Sequence, residues 1–597
     1  MAIIYRSLLD RDLTPGEVDE NFRTALDSAN SSFAASGSGA VSISVQNALR
    51  VLCVTPLQFE ATWDGVADDT AELQAAYDAL NAAGGGIMLL PEGNGKISAR
   101  ITTYSNIITQ GAGMGATTIS CANGDIAQLF LNAGSKAIFR DFTISVSVAG
   151  TTSVIGGLQL NDSTDCRVER VEVTGVSWAG VLLYGASRRN TVRDCYFHDW
   201  RGSVQDSADI ALYNDASYNF IANNACFGGG EHGVMLQGSA VLNGMKNIVT
   251  DNRVSQHTTY GIMDYRTADA DTYTQITDNY IEDIQGTTRS NASGMGIYLA
   301  SVGGVLVSGN TIRNCCVQTT ATTLTPGAIG INGTTSTLIP CNITNNNIDG
   351  MTKYAGIWIA GSAGGNIVGN RIQVPTTNDD GYGAIYLAGS SNLNVCGNHI
   401  TIKNASSATQ MGIEVNANAN IANIAICNNV INGGSYASIR VERTSSNTLT
   451  GCVVSGNIAT GGNSENIPLR LSGVVRGMVT GNYLSGSSTN YVVLHSNSTH
   501  VRYENNVSIT SQTDNLNLQN TNTASFWGKS NYFNGEVENT GTGMVVEQLS
   551  AAEPAAGTAA VGDTWWDLSP TAGATPGGMC TTAGAPGTWK NFANLAA

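Results

Sequence analysis

Along most of the chain apolar and polar residues alternate at period two, and the alternation itself recurs. Between about Asp165 and Val507 a unit of the form apolar-x-x-Asn-x-apolar repeats: Val249-Thr-Asp-Asn252-Arg-Val254, Ile276-Thr-Asp-Asn279-Tyr-Ile281, Val307-Ser-Gly-Asn310-Thr-Ile312. It continues through Asn346, Asn370, Asn398, Asn429, Asn457, Asn482 and Asn506, with successive Asn roughly 24 to 36 residues apart. That period signals stacked supersecondary units. Helical repeats of this length need apolar residues at i, i+3 and i+4, whereas these units use β-branched residues in alternation. One coil cannot bury its apolar side alone; stacked coils can. The pattern predicts an all-β chain, a right-handed parallel β-helix.

Each coil carries a second strand with its own alignment: Ile210-Ala-Leu212, Val234-Met-Leu236, Ile262-Met-Asp264, Ile297-Tyr-Leu299, Ile329-Gly-Ile331, Ile357-Trp-Ile359, Ile385-Tyr-Leu387, Ile413-Glu-Val415, Ile439-Arg-Val441. Period two turns the flanking members inward and the middle member outward. The outward file is then Ala211, Met235, Met263, Tyr298, Gly330, Trp358, Tyr386, Glu414 and Arg440, with coils about 4.8 Å apart. Tyr298, Trp358 and Tyr386 make an aromatic strip suited to the apolar faces of sugar rings, or to burial between the subunits of a trimer. The aligned Gly233, Gly261, Gly296, Gly356 and Gly412 keep the neighbouring surface shallow, as an extended polymer requires.

The ends break the repeat. Residues 1–45 read as an attachment segment: Thr14 caps a short helix with Pro15 at its first position and Glu17 completing a capping box, and a Ser/Gly/Ala linker follows. Residues 46–140 hold an N-terminal cap and the first coils. There Ala71 to Ala83 reads as a helix stopped by Gly84-Gly-Gly86, a lid over the first coil. Residues 141–514 form the solenoid. Residues 515–597 lose the Asn repeat, gain Trp527, Trp565, Trp566 and Trp589, and read as small β modules for trimerisation or carbohydrate binding, the Trp more often core than sugar contact.

The bulk numbers narrow the function. Only 13% of residues are charged, 69 are Gly and 11 Pro, which fits many tight turns under a polar, mostly uncharged surface. The formal charge of -17 argues against nucleic acid, and mildly against an anionic substrate unless a local basic patch overrides the field. The 12 Cys are scattered, and no His/Cys spacing resembles a zinc site. Cys396 and Cys427, one coil apart, read as small buried hydrophobes rather than a disulfide. No run approaches a membrane span and the N-terminus has no secretory h-region.

Asp64-Gly-Val-Ala-Asp-Asp-Thr70 with the helix after it, through Ile87-Met-Leu-Leu-Pro-Glu-Gly93, resembles the opening signature of the pectate-lyase-like β-helix superfamily in its bacteriophage tailspike form. Leu13 to Phe22 is similar to the element that joins tail fibres and tailspikes to the virion. Gly562-Asp-Thr-Trp-Trp-Asp567 through Lys590 resembles a small module recurrent on such spikes. The resemblance implies a homotrimeric polysaccharide depolymerase of the virion, held in the host cytoplasm before assembly. Its partners would be a bacterial capsule, O-antigen or exopolysaccharide and, through residues 1–45, a tail or baseplate protein; it implies no cofactor.

Acidic residues gather at one end of the outward face. Asp206 and Asp209 lie beside Ile210, Glu231 and His232 one coil on, Asp264, Tyr265 and Arg266 two coils on. Glycoside hydrolysis needs two carboxyl groups. Asp209 and Asp264, on alternate coils, would be roughly 9.6 Å apart, with Glu231 between them to raise a neighbour's pKa. These three are the expected catalytic residues. His232, Tyr265, Arg266, Tyr298, Trp358 and Tyr386 are the expected substrate contacts, no metal is expected, and Glu414 is an outlying alternative. A β-elimination lyase, the second reading, would draw its base and enolate stabiliser from Tyr265, His232 and Arg266. A non-catalytic adhesin would use the aromatic strip or the C-terminal Trp residues.

Overall fold

The computed structural model describes residues 32–33, 43–44 and 53–593, apart from 122–125, 147–155, 201–204, 229, 239–244, 287–293, 317–326, 334–339, 351–354, 362–363, 375–382, 404–409, 445–446, 462–466, 487–491, 511–513, 520, 529, 534–535, 540–541, 551–552, 556–557 and 568. Apart from Ser32–Phe33 and Ile43–Ser44, the expected attachment segment lies outside the described residues.

The repeat becomes two parallel ladders running the length of the solenoid. The Asn units form the first, with two short strands per coil, as in Ile248–Thr250 and Arg253–Ser255. Between them the chain bends through one left-handed residue: Asp251, Asp278, Gly309, Asn345, Gly369, Gly397, Asn428, Gly456, Gly481, Asn505. Only Gly, Asn and Asp take that conformation readily, which explains why the residue before each of these ten Asn is one of the three.

The Asn side chains then stack. The Asn279 amide donates to Asn310 Oδ1 at 3.0 Å and Asn310 to Asn346 Oδ1 at 3.0 Å, while each backbone N–H donates to that same oxygen and each amide also reaches a carbonyl of the preceding coil. The file runs from Asn224 to Asn531. A shorter one joins Asn190, Asn219 and Asn247. The ladder Asn residues are buried, so these bonds satisfy backbone groups that water cannot reach.

The second strands form the other ladder. Ile210, Val234, Ile262, Ile297, Ile329, Ile357, Ile385, Ile413 and Ile439 are register partners in succession, all inside the core. The outward file is likewise Ala211, Met235, Met263, Tyr298, Gly330, Trp358, Tyr386, Glu414, Arg440, and it continues to Arg470.

The helix Thr70–Ala82 lays Leu73, Ala76, Tyr77 and Leu80 over the first coils, and Gly84 leaves it at φ 86°. At the other end Thr564–Asp567, Gly577–Thr582 and Thr588–Asn591 pair antiparallel around Trp565, Cys580 and Trp589. Trp527 packs inside the solenoid against Tyr503. One expectation is corrected: Cys396 and Cys427 form a disulfide between adjacent coils, with Cα atoms 4.6 Å apart. Their strands place both thiols on the half-buried outer side, where register neighbours meet directly.

Candidate functional site

The second ladder separates the expected site residues into two groups. Asp209 lies between paired neighbours that flank Gly180 and Gly233 on the adjoining strands, and a Cβ at those glycines would strike Phe197 and Val254 of the core. This position therefore faces the lumen. The Asp209 carboxylate is fully buried, 3.3 Å from Nε2 of the equally buried His257. It also lies beside Cys226, whose thiol is pushed well up by burial first and by this carboxylate second.

Asp264 also points inward, between Leu236 and Leu299 of the adjoining coils. Thr272 and Thr274 donate to its Oδ2 at 3.1 and 2.6 Å, and Arg266 Nη2 lies 3.3 Å from Oδ1. Arg266 is itself buried and donates to the Asn214 carbonyl at 3.3 Å. The expectation that Asp209 and Asp264 face each other across an outer groove is thus corrected. Both sit inside the solenoid, three register positions and two coils apart. Two threonine donors and Arg266 offset the cost of burying the Asp264 charge, while among the described residues Asp209 has only His257 as an ion-pair partner. The Arg266 expected at the groove is the ion-pair partner within.

Glu231 and His232 stay near the outer side. His232 follows Ala208 in register, stacks on Tyr260 at 5.3 Å between ring centroids, and Tyr260 stacks on Tyr298 at 4.7 Å. The Asp206 N–H donates to Glu231 Oε2 at 2.7 Å. Ligand atoms of Asp206, Glu231 and His232 lie within 4.8 Å of one another, close enough to share a proton or a cation.

The aromatic strip is aligned but sealed. Tyr298, Trp358 and Tyr386 keep only 8, 5 and 8% of their surface exposed. Trp358 and Tyr386 pack with Ala355 and Ala388 in a small outer cluster of their own. Burial pushes the Tyr298 phenol up, and the Asn332 side chain bonds to it. Trp358 Nε1 is buried without an acceptor.

One rung beyond Tyr386 stands Glu414, also sealed. Burial pushes its carboxyl up to about 6 against the opposing pull of Arg440, whose Nη1 lies 2.9 Å from Oε1. The same guanidinium holds Glu442, two residues further along its own strand and again outward. Two carboxyl groups on adjacent coils thus share one outer face and one arginine.

A second outward file escaped the sequence reading except at Tyr265. Tyr213, Gln237, Tyr265, Ala300, Asn332, Ala360, Ala388, Asn416 and Glu442 are successive register partners, with Tyr184 before them; all but Tyr265 directly follow the second aliphatic of their strand. Most are half-exposed, unlike the sealed file beside them. Tyr184 and Tyr213 stack at 6.2 Å, and carbonyl oxygens of Gln237 and Asn416 have no donor. Its signal was in the sequence, in polar and Tyr residues at one offset from a recurring aliphatic.

Fold and face together define a right-handed β-helix with a half-exposed, largely polar file along one sheet. Residues 127–339 match the family described as right handed beta helix region. Among curated proteins, mannuronan C5-epimerase AlgE5 of Azotobacter vinelandii is 30% identical over 218 residues, covering 30% of this chain and 22% of that protein. Alginate lyase 7 of the same organism is 30% identical over 185 residues, covering 27% of this chain and 22% of its own length. The chain thus spans about a fifth of these relatives. Among solved structures, the tailspike protein of E. coli bacteriophage HK620 in complex with pentasaccharide is 14% identical, with TM-score 0.43, covering 95% of this chain and 90% of that one. The A-module of the Azotobacter vinelandii mannuronan C-5 epimerase AlgE4 has 16% identity and TM-score 0.28, covering 82% and 99%. No helix among the described residues is long and apolar enough to cross a membrane.

Proposed function

We propose that this chain is a tailspike-type depolymerase that binds a bacterial surface polysaccharide along the half-exposed file and cuts it by hydrolysis at Glu414. The observation that carries the reading is the Glu414 carboxyl, pushed up to about 6 beside the outward Glu442. A general acid must hold its proton near the working pH, and burial supplies that here. Glu442, kept at Arg440, is the second carboxyl that glycoside hydrolysis requires. Tyr184, Tyr213 and Tyr265 offer ring faces to the polymer, and Gln237, Asn332 and Asn416 offer amides to its hydroxyls. The same reading places three copies side by side on the virion, joined to the tail through residues 1–45.

Glu414→Gln tests it on host polysaccharide. Turnover is expected to fall at least about 10²-fold, with polysaccharide binding unchanged and the fold retained by circular dichroism. New reducing ends without unsaturated uronates identify hydrolysis. Undiminished turnover in the variant removes Glu414 from the chemistry, and binding with no turnover in the wild type makes the protein an adhesin.

A second reading rests on the curated relatives, named for mannuronan epimerisation and alginate cleavage. Here Asp206, Glu231 and His232, beside the stacked Tyr260, would remove a proton next to a uronate carboxylate. Alginate fragments ending in unsaturated uronates, lost in Glu231→Gln and kept in Glu414→Gln, would establish this site in place of the first.

A further inference from the structure

Beyond Glu414 the outward file holds two arginines on adjacent coils, Arg440 and then Arg470, as direct register partners. Coils lie about 4.8 Å apart, so two like charges project from neighbouring positions of one file. Arg440 has carboxylates on its other side, Glu414 and Glu442. Among the described residues no carboxylate pairs with Arg470. Its Nη1 donates to the neutral Tyr436 hydroxyl, and its Nε is buried without an acceptor. The Tyr436 ring takes both cations, with the Arg440 and Arg470 guanidinium carbons 5.6 and 5.0 Å from its centroid. Both arginines and Tyr436 are half-buried, so part of the group is open to solvent on the outer face.

An uncompensated guanidinium in a chain of formal charge -17 is the local basic patch that an anionic ligand needs. Arginine presents a planar fork that matches a carboxylate with two parallel N–H bonds. Resting on the reading that the polymer lies along this sheet, we propose that Arg470, steadied by Tyr436 and backed by Arg440, binds the carboxylate of an acidic sugar one or two subsites from the Glu414 carboxyl. The substrate class is then a carboxylated polysaccharide, either a hexuronate or a nonulosonate polymer.

The test is calorimetric titration of the full chain with oligogalacturonate, oligomannuronate and oligosialate, each beside its carboxyl-reduced counterpart. The acidic oligosaccharide that binds best is expected to exceed its reduced form by at least about tenfold, the advantage shrinking as salt rises. Which of the three binds separates hexuronate from nonulosonate. Arg470→Met should erase the advantage without changing affinity for the reduced form, and Arg470→Lys should restore part of it. Equal binding of native and reduced forms overturns the proposal, as does an intact preference in Arg470→Met or no binding of any acidic probe. If a neutral polysaccharide is instead bound and cut in a Glu414-dependent way, the groove reading stands and only the acidic subsite falls.

Discussion

Asp264 and Glu414 lie on the same sheet, each beside an arginine and each almost without exposed surface. They differ by one strand position, and that sets their chemistry. Asp264 faces the lumen, where two threonine hydroxyls and Arg266 surround it and no substrate can arrive. Glu414 faces outward between an aromatic rung and a cationic one, where burial raises its proton affinity. A buried carboxylate in a solenoid is therefore ambiguous until its facing is known. Inside it fixes the shape of a coil; outside it can hold a proton for use.

The comparison breaks most sharply at the lumen. Asp264→Ala leaves Arg266 charged and buried, and should cost about 3–5 kcal/mol of stability, read as a large fall in the denaturant midpoint. Leucine at both positions 264 and 266 should recover most of it, since the adjoining coils carry Leu236 and Leu299 at the same place. Polysaccharide turnover in that double variant should remain. Loss of turnover with the fold intact would return Asp264 to the chemistry.

The Asn file gives the next largest effect. Asn346→Ala removes the oxygen that takes the Asn310 backbone and amide donors, and the amide that reaches the Val307 carbonyl. Leaving such buried groups unsatisfied costs about 1–3 kcal/mol each. Thermal unfolding should therefore shift more than for any single change in the half-exposed file.

This file and the alternation around it were legible in the sequence because period two and a left-handed bend leave direct marks: aliphatic pairs, and Asn preceded by Asp, Asn or Gly. The outward file was equally legible, to the residue. The facing of Asp209 was not. It occupies a slot that is Gly in several sister coils, where the strand bends and its side chain turns inward; strict alternation gives no warning of that. Nor did alternation show that Tyr298, Trp358 and Tyr386 would be covered, because cover depends on what else the chain packs there. Asp264 did announce itself, as a charge in an apolar column, and the partner it meets there is Arg266.

Acidity separates the two faces with opposite signs. Glu414 holds its proton more tightly when folded, up to about 6 against an ordinary 4.5, so its contribution favours the fold below pH 4.5 and is lost as pH rises through about 6. The span amounts to about 2 kcal/mol. The lumen-facing His495, hydrogen-bonded to Tyr503, is pushed down to about 3 by burial, so its contribution is lost as pH falls from 6.5 toward 3. Unfolding free energy followed from pH 3 to 8 should lose its downward slope between 4.5 and 6 in Glu414→Gln, and keep its acid-side fall. If Glu414 donates the proton, turnover in the wild type should also decline above about pH 6.

The smallest effect completes the series. Asp165 and Arg189 form the same acid–arginine contact at 2.8 Å, on adjacent coils, with side chains 42% and 56% exposed. The contact lowers the Asp165 pKa and raises that of Arg189. Water screens both charges there, and ordering two long side chains offsets most of what attraction remains. Arg189→Ala should leave the unfolding midpoint within experimental error at moderate salt. A shift approaching that of Asp264→Ala would mean that contact geometry, not which way a residue faces and what covers it, sets the value of these pairs. The assignment of Asp264 to structure and Glu414 to chemistry would then lose its footing.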